Sequence, residues 1–328
     1  MTTAPLVGRR ILILHPAFFG IDVALVSALR GLGAEVESWS TRPSNSVLAK
    51  ALLRVVPSVA EPAIARTLQQ RISSVEVDRF DTVIVVKTEG VSVAILKLLR
   101  TRLPNAAFNA YLFDSVRNHP RVLTKLHCFD RVLSFDPADC AERPGWIYRP
   151  SFAADSYWRV KSRGASSIYS LGSFHSERAR VLSRFVRMSI AAGIDGAHDL
   201  LFRGWIDRVR SMSVRMGSQV RIIHTPVPAD EAARRFGEYA AILDIHHPGQ
   251  TGLTLRTFDA LAAGRKLITT NAAVRDHEFF DPSRIHVIDR NKPEVDPAFL
   301  SPPSMQLPVV RLPERYSVRS WASDLVMR

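Results

Sequence analysis

Cysteine is nearly missing: 328 residues carry only Cys128 and Cys140. That scarcity excludes a disulfide-stapled scaffold and any zinc module built from cysteine clusters. Both are expected to be free thiols. No uninterrupted apolar run of about 18 residues occurs, so no transmembrane helix is expected. Arg9 and Arg10 precede the apolar run Ile11–Leu14 in the manner of a twin-arginine leader. His15 and Pro16 end that run, Asp22 falls where an apolar signal core should continue, and no small-residue cleavage site follows. The expectation is a cytoplasmic chain. Glycine (16) and proline (20) are too few and too scattered for a collagen-like or low-complexity chain. Acidic residues are outnumbered 31 to 44, a net charge of +13, but the aromatics (8%) are not interleaved with the basic run. With no helix-turn-helix signature, RNP-like strand or zinc finger, nucleic acid is not an expected partner.

What is present is apolar mass. Hydrophobic residues make up 46% and charged residues 23%, which excludes disorder and suffices for two cores. At about 150 residues per domain, the length implies two domains. Ile11–Leu14 reads as a buried parallel strand, residues 19–32 as a helix closed by Gly33, and Glu35–Trp39 as a second strand. Residues 46–75 look helical, interrupted near Pro57 and Pro62. Strands are expected at Thr82–Val86, Ala107–Phe113 and Arg131–Phe135, with a helix over Val91–Arg100.

After a linker over 151–165, the alternation restarts. Strands are expected at Ser167–Leu171, Leu200–Phe202, Val220–Ile223, Tyr239–Ile245, Lys266–Thr270 and Ile285–Ile288. Helices are expected at Ser176–Ile190 and Leu253–Ala263. Residues 291–314 are proline-rich and extended, and Tyr316–Met327 forms a terminal helix. The fold class is therefore α/β, with two Rossmann-like domains facing across a cleft: 1–150, then 166–312, with 313–328 packing back toward the first.

Ligands of such sheets sit beyond the carboxyl ends of the strands. Gly172 and Ser173 follow the first strand of the second half, where backbone can approach a diphosphate closely, and His175 and Arg178 open the next helix. A guanidinium there can neutralise a diphosphate. Gly249 and Gly252 precede a second helix, whose N-terminus is a ready anion site. His246 and His247 are adjacent on a strand end and point to opposite faces, which argues against a shared metal ion.

The stretch Leu243–Asn271 resembles the donor-binding segment of GT-B glycosyltransferases, whose common form is E-G-F-G-L-P-x-x-E-A-x-A-x-G-x-P. Placing Ala262-Ala263-Gly264 on its A-x-G turn puts Asp259 at the second acidic position, which in that family holds the ribose hydroxyls. Thr251 stands where the first Glu belongs, and Arg256 replaces the Pro. Gln250-Thr251-Gly252-Leu253-Thr254, Arg256-Thr257 and Lys266-Leu267-Ile268-Thr269-Thr270-Asn271 more closely resemble bacterial capsular-polysaccharide and lipopolysaccharide biosynthesis proteins of the CgeB-like type. Phe113-Asp114-Ser115, Phe129-Asp130, Phe135-Asp136, Leu171-Gly172-Ser173 and Glu177-Arg178 extend the likeness over most of the chain.

The resemblance implies a transferase taking a nucleotide-sugar as co-substrate, with no further cofactor, and a glycan or lipid-linked glycan as acceptor. Donor contacts are expected from Gly172, Ser173, Arg178, Gln250, Thr251, Gly252, Arg256 and Asp259. No D-x-D triplet occurs, so metal-independent chemistry is expected, with helix N-termini and basic side chains stabilising the leaving diphosphate. An inverting transfer needs a base for the acceptor hydroxyl. Asp114, His15 and Glu89 each follow a strand of the first half, and Asp114 leads. Two other readings keep the fold: a non-catalytic sugar-nucleotide or polysaccharide-binding relative, and a polyol-phosphate transferase using a CDP-linked substrate.

The charge is uneven, with 12 basic and 4 acidic residues between Arg159 and Arg221. Arg180, Arg184 and Arg187 share one face of the helix from Ser176, opposite Leu182, Phe185 and Val186. Such a cationic face suits the anionic inner membrane surface, where lipid-linked acceptors reside.

Overall fold

In the computed structural model, residues 5–16, 20–41, 57–76, 78–160, 167–300 and 312–327 are described. The helical reading over 46–56, the linker beyond 160 and the extended segment over 301–311 fall outside them. The chain divides into two compact units, Met1–Pro150 with Val318–Arg328, and Ser151–Ser317.

The first unit is a six-stranded parallel sheet. Its strands are β1 (Arg10–His15), β2 (Glu35–Ser40), β3 (Thr82–Val86), β4 (Ala107–Leu112), β5 (Arg131–Ser134) and β6 (Ile147–Tyr148), in the order β2-β1-β3-β4-β5-β6. The continuous apolar runs of β1, β3 and β4 become central strands because only strands covered on both faces bury every side chain. Helix α1 (Ile21–Gly31) follows β1 and ends at Gly33, whose φ of 96° is the left-handed conformation that closes a helix cheaply. Helices α2 (Pro57–Ser74) and α3 (Val93–Arg102) cover one sheet face. There Leu68, Ile72, Ile95, Leu96 and Leu99 pack on Leu12, Leu14, Val83, Val85 and Phe108. The short helix α4 (Pro137–Ala141) starts at Asp136, whose carboxylate accepts from Ala138 N and from the Ser115 hydroxyl.

The second unit repeats the plan. Its strands are β7 (Ile168–Ser173), β8 (Gly196–Leu201), β9 (Val220–Ile223), β10 (Ala241–Asp244), β11 (Lys266–Thr269) and β12 (Ile285–Val287). They run parallel in the order β12-β11-β10-β7-β8-β9. Its helices are α5 (Ser176–Ala191), α6 (Trp205–Ser211), α7 (Ala229–Phe236) and α8 (Leu255–Ala262). Alternate residues of each central strand feed opposite cores. Ile168, Leu243 and Ile268 meet Val181, Leu182, Phe185 and Val186 of α5. Tyr169, Ile242 and Leu267 join the cluster of α7 and α8, with Ala233, Phe236 and Phe258. Buried Asp199 ties β7, β8, β9 and α7 together. It accepts from Tyr169 Oη at 2.7 Å, from Arg221 Nε at 2.7 Å and from Arg235 Nη1 at 2.6 Å.

One feature departs from the sequence reading. Residues 151–160 are no free linker: Phe152, Ala153 and Tyr157 are buried, and Ala153 bridges Ser317 within the second unit. The last helix, α9 (Val318–Val326), packs in the first unit beside α1. There Trp321 is fully buried, its ring edge-on to Tyr111 at 5.0 Å, and Asn109 Nδ2 donates to Leu325 O at 2.7 Å.

Candidate functional site

In the second unit the strand order reverses between β7 and β10, the place where doubly wound sheets leave a crevice at their carboxyl ends. β7 delivers Gly172 and Ser173 to that edge, and β10 delivers Asp244, Ile245 and His246. Arg178, on the first turn of α5, spans the two strand ends. Its Nε donates to Ile245 O at 2.9 Å and its Nη1 to Ser173 O at 2.7 Å. The Arg178 side chain lies beside Gly172, where a Cβ would make only ordinary contact with it, 3.4 Å from Cδ. Burial lowers the Arg178 pKa to about 10, and the neighbouring charges of Arg256, Arg203 and Arg290 push the same way.

Four arginines therefore converge on one strand edge. Arg203, just past β8, donates Nη2 to Ser173 Oγ at 2.8 Å. Arg256, on the first turn of α8, reaches Leu171 O, and its buried Nε has no hydrogen-bond partner among the described residues. Arg290, past β12, pairs with Glu177 at 2.9 Å and donates to His246 O at 3.0 Å. Buried Asp244 supplies the nearby negative charge. It accepts from Thr254 Oγ1 at 2.8 Å and from Thr257 Oγ1 at 3.2 Å. Thr254 in turn caps α8 by accepting from Arg256 N at 3.2 Å. Gly172, Arg178, Asp244, Ile245 and Arg256 line a small cavity here.

Helix α5 opens at the same edge. Its N-cap, His175, makes no side-chain cap, so the first N–H groups of a 16-residue helix have no capping side chain. The His175 ring is edge-on to His247 at 5.0 Å, and His247 Nδ1 accepts from Gly249 N at 3.1 Å. Burial first, then the charges of His247 and Arg178, hold His175 below the usual histidine range. His246 is pushed down to about 4, chiefly by burial, and its Nδ1 lies 2.8 Å from Thr270 Oγ1. Both imidazoles are thus neutral at pH 7, as expected beside clustered guanidinium groups.

The loop Gln250–Gly252 is held from below by Asn271, whose Nδ2 donates to Thr251 O at 3.1 Å and Gly252 O at 3.3 Å. Thr251 is exposed, Gln250 half-buried and Gly252 buried. Asp259 behaves differently. It is buried just over one turn into α8, its Oδ1 accepts from Ala154 N at 3.3 Å, and burial raises its pKa to about 7 despite the opposing charge of Arg256. One of its two carboxyl oxygens is held by backbone of the segment that the sequence reads as a linker.

In the first unit, His15, Glu89 and Asp114 follow β1, β3 and β4, three neighbouring strands. His15 is buried, with Nε2 2.6 Å from Ser38 Oγ and Nδ1 4.0 Å from Asp22. Asp114 is ion-paired with Lys87, a residue at φ 60° directly after β3. Glu89 lies in a 3-10 turn, Thr88–Gly90, and its side chain is outside the described residues. Sequence reasoning overlooked Arg203, Arg290 and Lys87. Each stands within a few residues of a strand's carboxyl end, a position that could have marked it.

No family model matches the chain, and comparison with curated proteins gives no match. Solved structures do match. A UDP-forming α,α-trehalose-phosphate synthase from Burkholderia xenovorans, in complex with glucose-6-phosphate, superposes with a TM-score of 0.58 at 12% identity, over 97% of this chain and 98% of that one. A glycosyltransferase involved in avilamycin A biosynthesis gives 0.57 at 14%, over 97% and 93%. The UDP-GlcNAc 2-epimerase from Neisseria meningitidis, bound to UDP-GlcNAc, gives 0.57 at 9%, over 97% and 98%. At these identities the likeness is one of fold.

Proposed function

We propose, from the two-Rossmann fold that this chain shares with GT-B glycosyltransferases and 2-epimerases, that it works on a nucleotide-activated sugar and transfers the glycosyl group. The observation that carries the reading is the β7–β10 strand edge. Gly172–Ser173, the uncapped start of α5 and the start of α8 meet there beneath Arg178, Arg203, Arg256 and Arg290. Backbone N–H groups and guanidinium groups aimed at one point suit a diphosphate, whose negative charge grows as the sugar–phosphate bond breaks. Two of the similar structures are described with UDP-GlcNAc or glucose-6-phosphate bound, which supports a sugar-phosphate ligand.

In this reading Arg178 is a positioning residue, with two of its five N–H donors given to Ser173 O and Ile245 O. Arg203 and Arg256 face the diphosphate, and Gln250–Gly252 with Asp259 hold the nucleoside and sugar. The first unit takes the acceptor, a cell-surface polysaccharide, lipopolysaccharide or lipid-linked glycan. Asp114 accepts the acceptor hydroxyl's proton, with His15 and Glu89 near the same strand edge. The reaction needs no metal.

The test is a thermal-shift panel of UDP, GDP, CDP, ADP and dTDP with EDTA present. One diphosphate should raise the melting temperature selectively, by an amount set by the ratio of its concentration to Kd. Arg203→Ser and Asp259→Ala should abolish the shift. No shift with any nucleotide would overturn the reading. A shift that requires Mg²⁺ would overturn metal independence. Donor binding without turnover would identify a non-catalytic relative, selective CDP binding would favour a polyol-phosphate transferase, and donor isomerisation without an acceptor would identify an epimerase.

A further inference from the structure

Helix α6 is turned inside out. It joins β8 to β9, and none of its residues is buried. Trp205 is 71% exposed, Val209 56% and Met212, its C-cap, 84%. Their spacing of four and then three residues puts them on one face. An ordinary surface helix turns such a stripe toward the core. Here the half-buried positions are Ile206, Asp207 and Ser211, and Asp207 accepts from Arg203 N at 2.6 Å. On β9, Ile222 adds a fourth exposed apolar side chain at 43%.

Arginines flank the stripe. Arg208, Arg210 and Arg215 are exposed and form no ion pair among the described residues. Helix α5, packed against α6, carries exposed Arg180 and Arg187. We propose that α6 and its arginine flank form a docking surface for an anionic phospholipid membrane. Two arguments select this occupant. A stripe of three side chains is far smaller than the roughly 800 Å² per partner of a stable protein interface, whereas a few apolar side chains suffice to enter the headgroup region. Tryptophan prefers that depth, and uncompensated arginines beside it match anionic headgroups. The arginine face of α5 alone, which the sequence suggested, offers charge without an apolar anchor, and Arg184 on it is turned to Arg290 O at 3.5 Å. The inference is independent of the chemistry at the β7–β10 edge.

The test is flotation of the full chain with phosphatidylcholine vesicles and with mixed phosphatidylcholine–phosphatidylglycerol vesicles. Two variants are compared: Trp205→Ser/Val209→Ser/Met212→Ser and Arg208→Gln/Arg210→Gln/Arg215→Gln. Wild type should float with mixed vesicles, be released by high salt, and bind pure phosphatidylcholine far less. Each variant should bind mixed vesicles about tenfold more weakly at an unchanged melting temperature. Brominated lipid should quench wild-type fluorescence more than that of Trp205→Phe. Wild type that binds no vesicles, variants that bind as tightly as wild type, or an apolar variant that splits a homo-oligomer would each overturn the proposal.

Discussion

The guanidinium of Arg178 hydrogen-bonds Ser173 O on one strand end and Ile245 O on the next, fastening β7 to β10 where their main-chain ladder has already parted. A lysine keeps the charge but lacks the planar fork that meets both carbonyls. Arg178→Lys should cost about 2 kcal/mol, since hydrogen bonds to charged groups contribute more than neutral ones. By calorimetry the melting temperature should fall by about 4–8 °C. Under the proposed function it should also weaken diphosphate binding, although Arg178 does not itself contact the ligand. A melting temperature equal to wild type would show that the strand ends hold without it.

Asp259 and His246 should pull the stability curve in opposite directions. A carboxyl raised to about 7 in the folded state binds its proton more tightly there than in the unfolded chain. Its penalty is absent below the ordinary carboxylate range, grows as pH rises, and is complete above about 7. Asp259→Asn, which still offers an oxygen to Ala154 N, should therefore gain stability over wild type, by about 1–3 kcal/mol at pH 8, and lose that gain by pH 4. His246, held neutral with a pKa of about 4, acts the other way. Stability present above the ordinary histidine range is lost as pH falls toward 4, so His246→Asn should flatten the acid limb. Urea unfolding at pH 4.5, 6 and 8 measures both slopes, and parallel curves for wild type and variant would contradict the burial argument.

Under the proposed function Asp114 is the leading base, and its partner Lys87 sits across the β3–β4 edge. If it takes the acceptor's proton, Asp114→Asn should lower kcat by about 10²–10⁴ while leaving the melting temperature nearly unchanged. Turnover within about tenfold of wild type would remove it from that role.

Gly90 closes the turn that carries Glu89. A Cβ there would lie 2.8 Å from Thr41 Oγ1 and 2.9 Å from Thr41 O. The backbone oxygen cannot rotate away, so Gly90→Ala should destabilise the first unit by about 1–3 kcal/mol. Denaturant midpoints at constant m-value would read this directly.

The sheets were largely legible because their central strands are continuous apolar runs. Ile11–Leu14 and Thr82–Val86 advertise burial on both faces. Residues with mixed environments were not. β6 is two residues long, and α6 hides none of its apolar side chains, so neither shows the pattern its element usually has. Tyr157 and Phe152 stand in a stretch too poor in periodic apolar positions to announce a core contribution. At the site, glycine spacing and helix starts pointed to the β7–β10 strand edge, where the four arginines gather. Side-chain commitments were invisible, because local sequence does not record that Arg178 gives two donors to carbonyls or that Ala154 N takes one oxygen of Asp259.

The position of α9 has a consequence for the order in which the chain can mature during synthesis. Residues 151–317 form a self-contained unit whose parts leave the ribosome together. The first unit begins to emerge earlier but lacks Trp321 against Tyr111 and the Leu325 carbonyl that Asn109 requires until α9 is made, after the second unit. The half translated first is therefore the half completed last. Until then the sheet lacks the buried indole that packs on Tyr111.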